Sequence, residues 1–138
     1  MEISEVNPDG NVYQLKDATA RAGLAQIEAQ NVYSTTETDT GRKWIDGKLI
    51  YRKVLTVSVT VAIDTPTLII SASSLPTIGT MVHMEGFEQL TAGGYVPLNS
   101  SLERLTYSKT GGSQGITFES HIARSNIPAT IIIEYTKA

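Results

Sequence analysis

His83 and His121 are the only histidines in this chain of 138 residues. They fall in separate segments, with no His-x-His or His-Glu-x-x-His spacing to aim two imidazoles at one ion. Two ligands do not complete a tetrahedral zinc site, and the absence of cysteine removes thiolate ligands and thiol nucleophiles alike. One histidine from each of several chains meeting on an axis is the remaining metal arrangement; surface histidines are the plainer reading. Carboxylates are more numerous: Asp46, Asp64, Glu85, Glu88, Glu103, Glu119 and Glu134. Glycoside hydrolysis needs two of them flanking a bond, about 5–5.5 or 6.5–9.5 Å apart, and nothing in the sequence dictates such a pair. Asp46 has a turn role before Gly47, Asp64 precedes Thr65-Pro66, and Glu119 and Glu134 take outward positions in alternating segments. Solvated faces are therefore expected. No Gly-x-Ser-x-Gly nucleophile elbow occurs. Gly111-Gly-Ser-Gln-Gly115 lacks the Lys-Ser/Thr ending and the following helix that a phosphate cradle requires, so it reads as a turn. No catalytic residue, cofactor or metal site is expected.

The aromatic residues offer a different chemistry. Trp44, Tyr51, Tyr95 and Tyr107 are candidate stacking platforms for sugar rings, because an amphipathic ring with a polar tip suits a wet, half-apolar surface. Hairpin and core packing is the competing reading, strongest for Trp44 with Leu49 across the hairpin.

These groups must be positioned by mostly β structure. Hydrophobic residues make up 41% and charged residues 18%, a globular composition rich in Thr, Ser and Gly that favours short strands and turns. A chain of this length buries roughly 70% of its extended surface and needs no covalent staple. Leu55, Val57, Val59, Val61 and Ile63 alternate with polar or small residues, the cleanest period of two in the chain. Shorter strands are expected around Leu68, over 80–89, at Tyr95-Val96, over 102–108, through Ile116, Phe118 and Ile122, and over 129–135. About seven strands at this spacing favour an antiparallel β-sandwich, jelly-roll-like. Ahead of them, Asp46-Gly47 predicts a two-residue type I′ hairpin turn. That register sets Ile45 opposite Lys48, Trp44 opposite Leu49 and Arg42 opposite Tyr51. Residues 31–41 read as a polar linker. Residues 16–30 read as a helix of about four turns, marginal alone. Leu15, Ala18, Ala22, Ala25 and Ala29 form one stripe on it, and Ala20, Leu24 and Ile27 another. Two stripes suit a helix touching neighbours on two sides, as in a trimeric coiled coil; a single amphipathic helix lying on its own domain is the alternative. The expected organisation is an N-terminal turn and oligomerisation helix over 1–32, linker and hairpin over 33–53, and a β-sandwich domain over 54–138.

Eleven basic against fourteen acidic residues leave a charge of −3 with no basic stripe, which argues against nucleic acid. No stretch approaches the ~20 apolar residues of a membrane helix, and the first ten residues lack the charged and apolar regions of a secretory signal.

Tyr33-Ser-Thr-Thr-Glu37 followed by Thr40-Gly-Arg-Lys-Trp-Ile-Asp-Gly-Lys-Leu-Ile-Tyr-Arg-Lys53 resembles a recurring stretch in tail-fibre and baseplate-associated proteins of phages and prophages of Gram-positive bacteria. Leu15-Lys-Asp-Ala-Thr-Ala-Arg21 resembles a segment found upstream in such proteins, where it opens a short helix. The resemblance covers roughly residues 13–53. It implies a virion component: a tail-fibre, tail-tip or baseplate module, homotrimeric and non-enzymatic, with other tail proteins and host-surface carbohydrate as partners. It would be made in the host cytoplasm without a signal peptide. A purely structural connector and a hydrolase of cell-wall or capsule polysaccharide are the alternatives.

Overall fold

The computed structural model describes residues 20–24, 27, 32–109 and 114–138. The chain divides into two compact units, Met1–Val32 and Tyr33–Ala138. In the first, residues 20–24 and 27 are helical, with Leu24 and Ile27 exposed at 56% and 55%. Of the stripes expected on this helix, Leu15, Ala18, Ala25 and Ala29 lie outside the described residues.

The second unit is mainly β, in two antiparallel sheets. Strands β1 (Thr38–Lys43), β2 (Leu49–Val61), β4 (Ile78–Gln89), β5 (Tyr95–Pro97) and β8 (Arg124–Lys137) form one sheet in the order β1-β2-β8-β4-β5. Strands β3 (Thr67–Ser71), β6 (Glu103–Ser108) and β7 (Gly115–Ser120) form the other, in the order β3-β7-β6. A 3-10 turn at Ala72–Ser74 follows β3. Period-two alternation builds the core. Leu55, Val59 and Val61 of β2 and Ala129, Ile131, Ile133 and Tyr135 of β8 turn the same way, and Ile70, Leu105, Ile116 and Phe118 of the smaller sheet join them in one buried cluster. Each fully buried Ile or Val there stabilises by roughly 1.5–3 kcal/mol.

The hairpin differs from its expected register. Lys43 pairs with Leu49, Asp39 with Tyr51 and Thr38 with Arg52. The Trp44 N–H donates to the Lys48 carbonyl and the Gly47 N–H to the Trp44 carbonyl, both at 2.9 Å. The loop is thus three residues, Ile45, Asp46 and Gly47. A type I′ turn needs positive φ at both central residues. Only Gly47 has it here, at 84°, while Asp46 is not among the positive-φ residues. A type I turn closed by a left-handed glycine results, and the one-residue slip separates the side chains expected on one face. Arg42 reaches Glu134, while Tyr51 packs against the core.

The expected linker is partly strand, since Thr38, Asp39, Thr40 and Gly41 belong to β1. The hairpin and the long strand are one element: β2 runs through residues 53 and 54 without a break. It ends at Val61, so Ile63 lies beyond it, 58% exposed. Ile122, expected to share a face with Ile116 and Phe118, follows the end of β7 and is 46% exposed. Leu68 lies in a strand as expected, 42% exposed, while Ile70 of the same strand is buried.

Two glycines are expected to respond differently to alanine. At Gly47 a Cβ meets nothing within 4 Å, so Gly47→Ala should cost only its left-handed conformation, about 1 kcal/mol. At Gly115, φ is 130° and a Cβ would run into the Ile70 carbonyl oxygen where β3 pairs with β7. Gly115→Ala should cost about 4 kcal/mol or more. Urea unfolding of the two variants measures the contrast.

Candidate functional sites

Alternation in β6 turns Glu103 inward with Leu105, and alternation in β4 turns Glu88 inward beside Ala129 of β8. Ser120 ends β7 and Arg124 opens β8. Four polar side chains from both sheets therefore meet at one end of the core. Glu88 is 0% and Glu103 6% exposed. Arg124 donates from Nε to Glu88 Oε1 at 2.6 Å and from Nη2 to Glu103 Oε2 at 3.4 Å. The Ser120 hydroxyl donates to the same Glu103 oxygen at 3.4 Å. Burial pushes the Glu103 carboxyl up, and the charge and hydrogen bonding of Glu88 push it further, against the pull of Arg124 and Ser120. Glu88 Oε2 is buried with no other hydrogen-bond partner. Protonated, the Glu103 carboxyl would supply the donor this oxygen lacks, and hydrogen bonding to Glu88 is among the causes that raise its pKa.

Beside this clasp opens a cleft of about 290 Å³, lined by Ser100, Ser101, Leu102, Glu103, Arg104, Glu119 and His121. Arg104 and Glu119 pair across β6 and β7 and form an ion pair over it. The His121 Nδ1 bonds Asp64 Oδ1 at the rim. His83 lies on the larger sheet, 3.4 Å from Glu85. Among the described residues, no three His, Asp or Glu side chains converge on a point that would hold a metal ion.

The four candidate aromatics do not gather. Trp44 is half-buried at the hairpin tip. Tyr51 packs on the core, with the Tyr135 ring 6.3 Å away and Lys137 Nζ 4.3 Å over its face. Tyr107 also packs on the core, and burial pushes its hydroxyl pKa up. Tyr95 alone is well exposed, at 64%. It stands edge-on to Phe87, ring centres 5.6 Å apart and planes at 69°. Pairing of Phe87 with Pro97 and of Gln89 with Tyr95 puts all three rings on the outer face of β4 and β5. They line a shallow hollow of about 410 Å³.

Of the carboxylates expected on solvated faces, Glu88 and Glu103 are instead buried, and Glu119 and Glu134 are held in ion pairs. Glu134 accepts from Arg42 at 2.7 Å and lies 3.7 Å from Arg52, whose guanidinium covers the Tyr33 ring at 4.4 Å. Glu37 takes a hydrogen bond from the Tyr135 hydroxyl and pairs with Lys137 at 2.7 Å. Burial raises the Glu37 pKa, but these hydrogen bonds and the charges of Lys137 and Lys53 outweigh it, and the net shift is down. Burial, then the bond to Glu37, pushes the Tyr135 hydroxyl up.

Sequence reasoning missed Arg124 and Phe87. The signal for the clasp was the alternation Glu103, Leu105, Tyr107, which carries a carboxylate on an otherwise apolar face. Phe87 had no signal until β5 was paired beside it. No helix among the described residues is long and apolar enough to cross a membrane. Comparison with known protein families, with curated proteins and with solved structures finds no match.

Two consequences are measurable. Arg124→Met leaves two buried carboxyls without their cation and is expected to cost about 3–5 kcal/mol. The pH dependence has two opposed parts. The Glu103 pKa lies above its ordinary value of 4.5, so its contribution is complete below 4.5 and is lost as pH rises through the raised value. The Glu37 pKa lies below 4.5, so its contribution is present above 4.5 and is lost as pH falls through the lowered value. Melting temperatures across about pH 3–8 should lose the first slope in Glu103→Gln and the second in Glu37→Gln.

Proposed function

We propose that this chain is a non-enzymatic recognition module of a phage tail appendage, a fibre, tail tip or baseplate part, that assembles as a homotrimer and contacts saccharides on the host cell surface. The observation that carries the binding half is the Phe87, Tyr95 and Pro97 shelf. Its three rings lie on one exposed face, with Tyr95 64% exposed. Such a shelf offers ring faces to the C–H groups of a sugar and a hydroxyl to its polar edge.

The tail assignment rests on the resemblance over residues 33–53. That stretch forms the outer corner of the five-stranded sheet, and the turn geometry accounts for its Trp-Ile-Asp-Gly-Lys block without a ligand. Exposed Leu24 and Ile27 in the helical segment suit contact between copies. We further read the two sheets as a sandwich of jelly-roll type, with β2-β8-β4 facing β3-β7-β6.

The hydrolase alternative has one observation in its favour, since Glu103 lines a cleft beside Glu88. Arg124 bonds both carboxylates, and Glu88 is wholly buried. A glycosidic bond has no room between them.

Tyr95→Ala is expected to weaken binding to host cell walls or their glycans at least about tenfold, the effect of losing about 1.4 kcal/mol, while leaving the melting temperature unchanged. Light scattering is expected to give a mass that is a multiple of three chains. Wild-type protein that binds no host surface but co-purifies with tail proteins would replace recognition with a connector role. A monomer at micromolar concentration would remove the assembly half.

A further inference from the structure

Among the described residues, the larger sheet leaves one long strand edge uncovered. β1 pairs with β2 only as far as Arg52, and the Val54 N–H donates to the Ser34 carbonyl at 2.9 Å. Among the described residues, that is the last backbone bond on this edge of β2. Alternation then aims the N–H and C=O groups of Thr56, Ser58 and Thr60 the same way, because the odd-numbered residues face β8. An unpaired edge is a template for another strand, and proteins blunt such edges with charges, prolines, bulges or short length. The other edges here are blunted. β5 is three residues ending at Pro97, and β3 is five residues preceded by Pro66. β1 is irregular between Asp39 and Lys43 and carries Arg42 and Lys43. The uncovered part of β4 shifts register twice and carries His83 and Glu85. β6 carries Arg104. From Leu55 to Val61, β2 has no charge, no proline and no glycine. A groove of about 600 Å³ runs beside it, with Leu55, Val57, Leu68 and Ile70 in its walls.

The segment is also symmetric about its centre: Leu55-Thr-Val-Ser-Val-Thr-Val61. We infer that β2 pairs antiparallel with β2 of a second copy of this chain, across a two-fold axis at Ser58, to make one continuous sheet. In that register Ser58 faces its own counterpart and Thr56 faces the second copy's Thr60, and these are the residues whose backbone groups point outward. Val57 then faces Val59 and Leu55 faces Val61 on the inner side; Leu55, Val59 and Val61 are already buried in their own chain, so these positions add backbone bonds, and half-buried Val57 is the inner side chain left to be covered. Thr–Thr pairs are among the favourable cross-strand neighbours, and Thr56 and Thr60 are both exposed. The strand ends match as well, since Lys53 of one copy lies toward the Asp64 end of the other. A second copy is the occupant because the edge is complementary to itself, in residue type at every position and in charge at its ends. The pairing does not depend on the tail assignment.

Ser58 is exposed on the outer face, so its substitution should leave the fold of one chain intact. The expected mass of the full chain is a multiple of two, and of six where the proposed trimer also forms. Ser58→Lys and Ser58→Glu each place like charges opposite each other, and each variant alone should show half the wild-type mass by sedimentation. An equimolar mixture of the two should regain the wild-type mass. Ser58→Cys, in a chain that has no other cysteine, should give a disulfide-linked pair in air, whereas Thr91→Cys should not. Unchanged masses for both charged variants, a mixture that stays at half mass, or equal cross-linking at 58 and 91 would each overturn the proposal. The mass of Ser58→Lys separately reports the trimer, since it reads three chains if the helical segment gathers copies and one if it does not.

Discussion

The second unit depends on β8 being paired on both sides. Its fourteen residues, Arg124–Lys137, run between β2 and β4, and Ile131, Ile133 and Tyr135 are each 0% exposed. Removing this strand would leave β2 and β4 as unconnected ribbons and would open the floor of the core. Because β8 comes last in the described chain, its pairing with β2 joins residues as far apart as Tyr51 and Tyr135. Such non-local pairing must pay its loop-closure entropy before any contact rewards it, which makes slow, late folding the physical expectation. The bond from Tyr135 to Glu37 and the Lys137–Glu37 ion pair act at the same end. They fasten the segment entering the unit to the strand that completes it.

The clasp of Glu88, Glu103, Ser120 and Arg124 closes the other end of the same core. A buried ion pair of this kind is weak evidence for net stability. Burying an ion pair often gains no more than an apolar pair of equal volume, whereas breaking one leaves a charge stranded. Two carboxyls share one guanidinium here, so the arrangement is satisfied when Glu103 keeps its proton, which the direction of its pKa shift favours. Apolar burial is non-directional, whereas the hydrogen bonds of this clasp need Arg124 aligned with both carboxyls at once. The clasp therefore fixes how the end of β6 and β7 meets β4 and β8.

The sequence made the strands legible where one face was buried and the alternation long. β2 and β8 stood out because their inward residues are β-branched or aliphatic for several repeats. Strand ends were less legible. Ile63 and Ile122 continued an apolar pattern past the strand ends at Val61 and Ser120. The hairpin shows the limit most sharply. Asp46-Gly47 fits two turn types that differ by one residue of register, and the choice was made by the backbone of Asp46, which the residue types alone do not fix. Sites built from several strands were the least legible. Arg124 meets Glu88 and Glu103 only after three separate strands are in place, and Phe87 meets Tyr95 only once β5 lies against β4.

The aromatic shelf and the open strand edge lie toward opposite borders of one sheet. In the order β1-β2-β8-β4-β5, the shelf sits at the β5 border and the open edge on β2. A copy added at β2 thus leaves Tyr95 untouched and places its own shelf at the far end of the extended sheet. Counting seven strand spacings of about 4.8 Å separates the two shelves by roughly 34 Å. A rigid pair at fixed spacing turns the second contact with a repetitive surface into an intramolecular event, and avidity then exceeds the affinity of either shelf without any new contact. A shelf of three rings has little area with which to bind a sugar tightly. If sugars are its ligand, as proposed, each contact is weak and the display of several does the holding.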